Sequence, residues 1–243
     1  MKILLVNDDG VHAHGLRDLA ARLKRDGHTV NIVAPDSERS GSGRSLTFHS
    51  ALRFEETEDG VYAVNGTPSD CVKFGIDVIL GERPDVVISG INNTCNIGTD
   101  IVYSGTVNAA LEACMHRVKA IAVSYDCADG DYTYVSDFVA RNLSLLIGLL
   151  PDDCNTVFNI NFPLPQSELK GVRFARTGDR YYDDEYQYVE GSGYFITGSP
   201  VPAKDCDPES DVVLCEQGWA TVSPVRISLN DDRVYSAVKE VKL

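Results

Sequence analysis

The chain lacks most of the features that would place it in a special class. No apolar run approaches the roughly 18 residues that a membrane-spanning helix needs, and there is no low-complexity tract or internal repeat. Cysteine occurs 7 times, an odd number, and never as C-x-x-C, which argues against a disulfide framework and against a zinc ribbon. Positive charge is in deficit: Lys and Arg total 22 against 36 Asp and Glu, a formal net charge of −14. A field of that sign repels a phosphate backbone, so no nucleic-acid polymer is expected as a partner. A small anion met by a local cation is not excluded. Met1-Lys2 leads straight into a short apolar run, so neither a signal peptide nor membrane association is expected, and a reduced cytoplasm is the expected compartment.

What remains is ordinary globular composition over 243 residues, 43% apolar and 24% charged, long enough to bury a core without staples. Ile3-Leu4-Leu5-Val6 is a continuous apolar run, the mark of a strand covered on both faces. Leu16, Leu19, Ala20 and Leu23 fall at i, i+3, i+4 and i+7, one apolar stripe on a helix from about Gly15 to Arg25. Thr29 to Val33 is the next strand, stopped by Ala34-Pro35-Asp36, and the whole unit has the size of a parallel crossover. The alternation recurs. Thr67-Pro68-Ser69-Asp70 opens a helix running to about Leu80, followed by a strand at Asp85–Gly90 and a helix at Val107–His116. A strand at Ala120–Ser124, a helix over 134–150 and a strand at Thr156–Asn161 complete the series. The expected fold is α/β: a Rossmann-like, doubly wound, mostly parallel sheet.

From about residue 179 the composition turns to Tyr, Asp, Glu and Gly. A hairpin is expected around Gly191-Ser192-Gly193, and a final helix capped by Asn230 and running to about Val241. The chain therefore divides into a Rossmann-like core, 1–178, and an extension, 179–243, of projecting hairpin, returning strand and C-terminal helix. With few apolar anchors of its own, the extension suits contact with another subunit.

In an open parallel sheet, ligands bind beyond the carboxyl ends of the strands, and three small, polar loops collect there. Asp8 and Asp9 end the first strand. Adjacent carboxylates repel unless a cation lies between them or one is protonated, and hard oxygen donors select Mg²⁺, Mn²⁺ or Ca²⁺ over zinc. The plain alternative is that one acid caps the next helix while the other is solvated. The second loop, Asp36 to Ser45, carries glycines, hydroxyls including Ser40, and the arginines Arg39 and Arg44; this suits an anion, and equally an ordinary surface loop. In the third, Tyr103-Ser104-Gly105-Thr106 precedes a helix and offers N–H groups, two hydroxyls and the positive dipole end to a phosphate, or simply an N-cap. Asn92, Asn93 and Asn96 add neutral oxygens and amides. His12 and His14 follow Asp9 without an evident orienting partner. The other histidines read as structural or surface residues, and the cysteines as small buried hydrophobes.

Taken together, these strings resemble the SurE family of metal-dependent nucleotidases. Matching segments are Ile3 to Gly10, Ala34-Pro35-Asp36 with Arg39-Ser40-Gly41, Ser45-Leu46-Thr47, and Gly66 to Val72. Arg83-Pro84-Asp85, Ser89-Gly90-Ile91-Asn92 and Tyr103 to Val107 continue in family order over residues 1–125, and a Ser223-Pro224 strand extends the likeness. The resemblance implies one divalent cation per subunit, Mg²⁺ or Mn²⁺, held by Asp8, Asp9, Ser40 and Asn92. It implies phosphate contacts from Asn96, Ser104, Gly105 and Thr106. Arg39 and Arg44, read from the composition of the neighbouring loop and not from the resemblance, are further candidate anion contacts. The implied activity is hydrolysis of nucleoside 5′-monophosphates by a metal-activated water, with side activity on 3′-nucleotides or short polyphosphate. Asp8 or Asp9 would orient or deprotonate that water. A family hairpin and an arm exchanged between subunits imply a homodimer or homotetramer. The chain departs at Thr94, where glycine is usual, and at Ser42-Gly43-Arg44, which replaces a run of small residues.

Two alternatives come from other classes. Aspartyl-phosphate phosphatases also place an acid after the first strand, but need a second acid two residues later, whereas Asp8 and Asp9 are adjacent. A non-catalytic nucleotide-sensing module would be favoured by a G-x-G-x-x-G turn, and Asn7 to His12 is not one.

Overall fold

Ile3, Leu4, Leu5 and Val6 are all buried in strand β1 (Lys2–Val6), because helices cover both faces of the sheet built around it. The computed structural model describes residues 1–126, 130–202 and 207–241, so Cys127 and Cys206 lie outside the described residues. The remaining strands are β2 (Thr29–Pro35), β3 (Phe54–Glu58), β4 (Val61–Val64), β5 (Val86–Asn92), β6 (Ala120–Tyr125), β7 (Thr156–Phe162) and β8 (Val172–Phe174). β9 (Tyr182–Val189) and β10 (Gly193–Pro200) pair only with each other, and β11 (Ala220–Arg226) returns to the main sheet. That sheet has the order β3-β4-β2-β1-β5-β6-β7-β11-β8. Strands β4, β2, β1, β5, β6 and β7 run parallel, while β3 and β11 pair antiparallel with β4 and β7. The chain winds outward from β1 through β2 and β4, then crosses back to β5 and winds the other way. The switch point lies between β1 and β5, where such sheets open a crevice at the carboxyl ends of their strands.

Helices α1 (His14–Arg25) and α4 (Thr133–Leu149) pack together on one face, and α2 (Pro68–Phe74) and α3 (Gly105–Met115) on the other. Leu16, Leu19 and Leu23 of α1 are fully buried, each worth about 1.5–3 kcal/mol of transfer free energy. The Thr67 capping box forms as read: Asp70 N donates to Thr67 Oγ1 at 3.1 Å, and Asp70 Oδ2 accepts Thr67 N at 2.9 Å. The helix does not run on as one α-helix to Leu80. It passes into a π-helical segment at Gly75–Leu80, where glycine and the β-branched Ile76, Val78 and Ile79 weaken the α-helical preference.

The extension contains α5 (Asp211–Glu216) and α6 (Asp232–Val238). Asp231, not Asn230, caps α6, its Oδ1 accepting Val234 N at 3.0 Å. Pro224 is tolerated in β11 because β8 pairs only with Ala220 to Val222, leaving an edge beyond. Asp211 ties the extension to the core: Oδ2 accepts Gly98 N at 3.1 Å and Oδ1 accepts Gly178 N at 2.8 Å. No helix among the described residues is long and apolar enough to cross a membrane.

Candidate active site

The register sets Val6 of β1 beside Ser89 of β5, so Asn7-Asp8-Asp9 and the end of β5 leave the sheet together at the switch point. Asn7 Nδ2 donates to Gly10 O at 2.8 Å and closes the turn, while Gly10 takes φ +100°, a conformation that a side chain would strain. Helix α1 then opens at Ala13 with no side-chain cap, so neither Asp8 nor Asp9 serves as a helix cap. Asp8 is buried and turns toward α3: its Oδ1 accepts the Thr106 hydroxyl, and the Thr106 N–H also donates to it. Asp9 accepts the Asn93 N–H, which ties it to the loop after β5.

Burial pushes both carboxyl groups up. Asp8 rises despite its bonds to Thr106, and Asp9 reaches about 7, with repulsion from Asp8 and then Glu38 adding to its burial. Arg39, next to Glu38, sends its guanidinium to Asp36 at 2.9 Å, while its Nε is shielded without a partner. Glu38 thus adds a third negative charge near the adjacent pair Asp8 and Asp9, a repulsion that a bound cation would relieve.

The other residues singled out in the sequence divide into two groups. Ser40 Oγ donates to Glu38 Oε1 at 2.7 Å, beside the acids. Asn92 Nδ2 donates to Thr94 O at 2.7 Å, leaving Oδ1 as the end available to a cation. Ser104 is indeed an N-cap, its Oγ accepting Val107 N at 3.1 Å. Capping does not compete with anion binding, because the first-turn N–H of Gly105 has no intrahelical partner. Asn96 points into the sheet, its Nδ2 donating to Ser124 Oγ at 3.0 Å. Arg44 reaches Glu112 Oε2 and Leu111 O, both at 3.4 Å, on the far half of α3. That is about 9 Å along the helix from Thr106 at 1.5 Å per residue, so Arg44 does not join Asp8. His12 and His14 are exposed.

Three features were missed in the sequence. Glu38 lies in the acid cluster. Asn159 and Asn161 of β7 clamp Asn96, whose N donates to Asn161 Oδ1 at 2.8 Å and whose O accepts Asn159 Nδ2 at 2.7 Å. Their signal was available: Asn at alternating positions marks one polar face in an otherwise apolar strand. Ser42, the third, stands out in the sequence only as part of the Ser42-Gly43-Arg44 departure, with no role read for it.

The family model for "Survival protein SurE" matches residues 3–184. The chain belongs to the SurE family. It is 42% identical to the "5'-nucleotidase SurE" of Gloeobacter violaceus over 94% of this chain and 91% of that one. It is 39% identical to the protein of the same name from Caldanaerobacter subterraneus subsp. tengcongensis, over 98% of this chain and 95% of that one. The crystal structure of the SurE protein from Aquifex aeolicus superposes with a TM-score of 0.84 at 33% identity, covering 98% of both chains. The Rossmann-like α/β reading and the SurE resemblance therefore both hold.

Among the described residues, no group of three or more His, Cys, Asp and Glu side chains is gathered for a metal. A cation at this SurE site would rest on Asp8 and Asp9 with the neutral oxygens of Asn92 and Ser40, an all-oxygen set suited to Mg²⁺ or Mn²⁺. Its binding should depend on pH. In the metal-free protein Asp9 keeps its proton up to about 7, whereas in the unfolded chain it ionises near 4. Stability therefore falls as pH rises through that window. A cation must displace the same proton, so Mn²⁺ affinity should climb by up to roughly tenfold per pH unit below 7 and level off above it. Calorimetric titration between pH 5.5 and 8.5 reads this, and a flat profile would remove Asp9 from the ligand set.

Proposed function

We propose that the chain is a metal-dependent 5′-nucleotidase, a phosphomonoesterase that converts nucleoside 5′-monophosphates to nucleoside and phosphate. The observation that carries this reading is the docking of Asp8 onto Thr106 at the N-terminus of α3, which sets a carboxylate pair against a helix end suited to phosphate. The names of the curated relatives support it. Mg²⁺ or Mn²⁺, one per subunit, supplies Lewis acidity at the phosphoryl group when held by Asp8, Asp9, Asn92 and Ser40.

The chain's own groups do the rest. The N–H of Gly105, the Ser104 hydroxyl and the positive end of α3 receive the phosphoryl oxygens and stabilise the charge that builds on them. Arg39 offers its buried Nε as a further donor. Asp8, fixed through Oδ1 by Thr106, orients the attacking water with Oδ2 and accepts its proton. The new P–O bond forms as the bond to the 5′-oxygen breaks, and that oxygen leaves as a hydroxyl after taking up a proton. Asn96 and Thr106 act by position: one is held by Asn159 and Asn161, and the other holds Asp8. Arg44 is assigned no phosphate contact.

We also infer that the chain works as a homodimer or homotetramer, with 179–243 as its contact arm. The β9–β10 hairpin exposes Tyr186, Tyr188, Tyr194, Phe195 and Ile196, and α6 buries no residue. Exposed aromatic rows of this kind mark interaction surfaces. A cytoplasmic location is supported by the five described cysteines, all free.

The test is phosphate release from 5′-AMP, 5′-GMP, 3′-AMP and tripolyphosphate with Mg²⁺, with Mn²⁺ and in excess EDTA. Release from the 5′-nucleotides that requires a divalent cation is the expected result. Nucleotide binding without release under any cation would favour a sensing module instead.

A further inference from the structure

Ser42 lies in the loop between β2 and β3, and its place there is closely defined. Ser42 N donates to Arg39 O at 3.2 Å, closing a turn. Two backbone bonds tether that turn to the site on either side: Arg39 N donates to Asp8 O at 2.7 Å, and Gly43 N donates to Tyr103 O at 3.0 Å. The loop is thus pinned both to the end of β1 and to the residue before the Ser104 cap. Between the two tethers, the Ser42 hydroxyl is shielded from solvent and has no hydrogen-bond partner. A β-carbon built on Gly105 would stand 2.8 Å from Ser42 Oγ, 2.8 Å from Asp8 Cβ and 2.9 Å from Asp8 Oδ2. The hydroxyl, the second oxygen of Asp8 and the first turn of α3 therefore meet closely around one point.

A shielded hydroxyl without a partner is unfavourable unless a ligand completes it. Three other side-chain donors read in the sequence are committed, Asn96 to Ser124, Arg44 to Glu112 and Leu111, and Thr106 to Asp8, while the Ser104 hydroxyl and Arg39 Nε remain as donors beside Ser42. We propose that Ser42 is a substrate-contacting residue whose hydroxyl donates a hydrogen bond to a phosphoryl oxygen of the nucleotide at the α3 N-terminus. The proposal rests on the phosphomonoesterase reading and adds a phosphate contact from the loop after β2.

Ser42→Ala tests it, since Ser42 is not at a positive φ and the substitution only removes the hydroxyl. Three quantities are compared with the parent: inorganic phosphate binding by calorimetry in saturating Mn²⁺, KM for 5′-AMP, and Mn²⁺ affinity without phosphate. Phosphate binding should weaken, and KM should rise, by about tenfold or more, the effect of losing a hydrogen bond to a charged group. Mn²⁺ affinity should stay unchanged, and the thermal midpoint without phosphate should hold or rise slightly, because an unpartnered buried hydroxyl is removed. Unchanged phosphate binding overturns the proposal. So does an equal loss of Mn²⁺ affinity, which would make Ser42 a support of the carboxylates instead. If the parent itself neither binds phosphate nor releases it from nucleotides, the nucleotidase reading falls first, a failure visible without the variant.

Discussion

Asp8→Asn should abolish turnover while making the metal-free protein more stable. The variant keeps the shape of the side chain and an oxygen to accept the Thr106 hydroxyl, so the fold around it persists. What disappears is one of the charges that repel in the Asp8–Asp9–Glu38 corner, where burial already holds both aspartates above their ordinary range. Removing an unfavourable buried charge relaxes the folded state. The cost falls on function: one cation ligand loses its charge and the group that takes the water proton is gone, so phosphate release should drop by roughly 10²–10⁴-fold. Scanning calorimetry in EDTA above pH 7 should show an increase in thermal midpoint, at roughly 2–4 °C per kcal/mol for a chain of this size. Asp9→Asn should behave the same way. Full turnover in either variant would place the site elsewhere.

Gly105→Ala separates catalytic geometry from stability by a different route. Alanine is the better helix former by up to about 1 kcal/mol in a helix interior and by less at the first position, so propensity alone would mildly favour the change. The added carbon, however, would lie 2.8 Å from Asp8 Cβ and 2.8 Å from Ser42 Oγ, closer than van der Waals contact allows. Asp8 or the Ser42 loop must then move. A shift on the order of 1 Å in a positioned group costs about 10²-fold in rate, while overpacking offset by the gain in propensity should leave stability within about 2 kcal/mol of the parent. Phosphate release from 5′-AMP beside a denaturant melt reads both. An active variant would show that the phosphate does not sit beside the contact of Asp8 and Ser42 with Gly105.

The parts of the fold visible in the sequence are those where burial imposes a period. β1, β5, β6 and β7 are mostly apolar because both faces are covered, and α1 carries its stripe because one face meets the sheet. β3 escaped notice because it is an edge strand with every residue exposed, reading Phe-Glu-Glu-Thr-Glu with no face to bury. α5 is six residues long, too short for a period to emerge. At the site, the motifs identified the carboxylates and the helix end, because those residues sit next to strand and helix termini in the chain itself. The sequence was silent on direction. Arg44 lies two residues from Ser42, yet one reaches along α3 to Glu112 and the other borders Asp8 and Gly105. Only the turn, with Gly41 and Gly43 both at positive φ, decides which side chain faces inward. The bonds from Asn159 and Asn161 to Asn96 span more than 60 residues, beyond the reach of local pattern.

The central claim is a location: cation and phosphate meet where the loops after β1 and β5 face the N-terminus of α3. Anomalous diffraction from crystals grown with Mn²⁺ and inorganic phosphate tests it directly. A single manganese peak ligated by Asp8, Asp9 and Asn92, with the phosphate against Gly105, is the expected result. Manganese ordered elsewhere, with Asp8 and Asp9 free of metal at neutral pH, would contradict it.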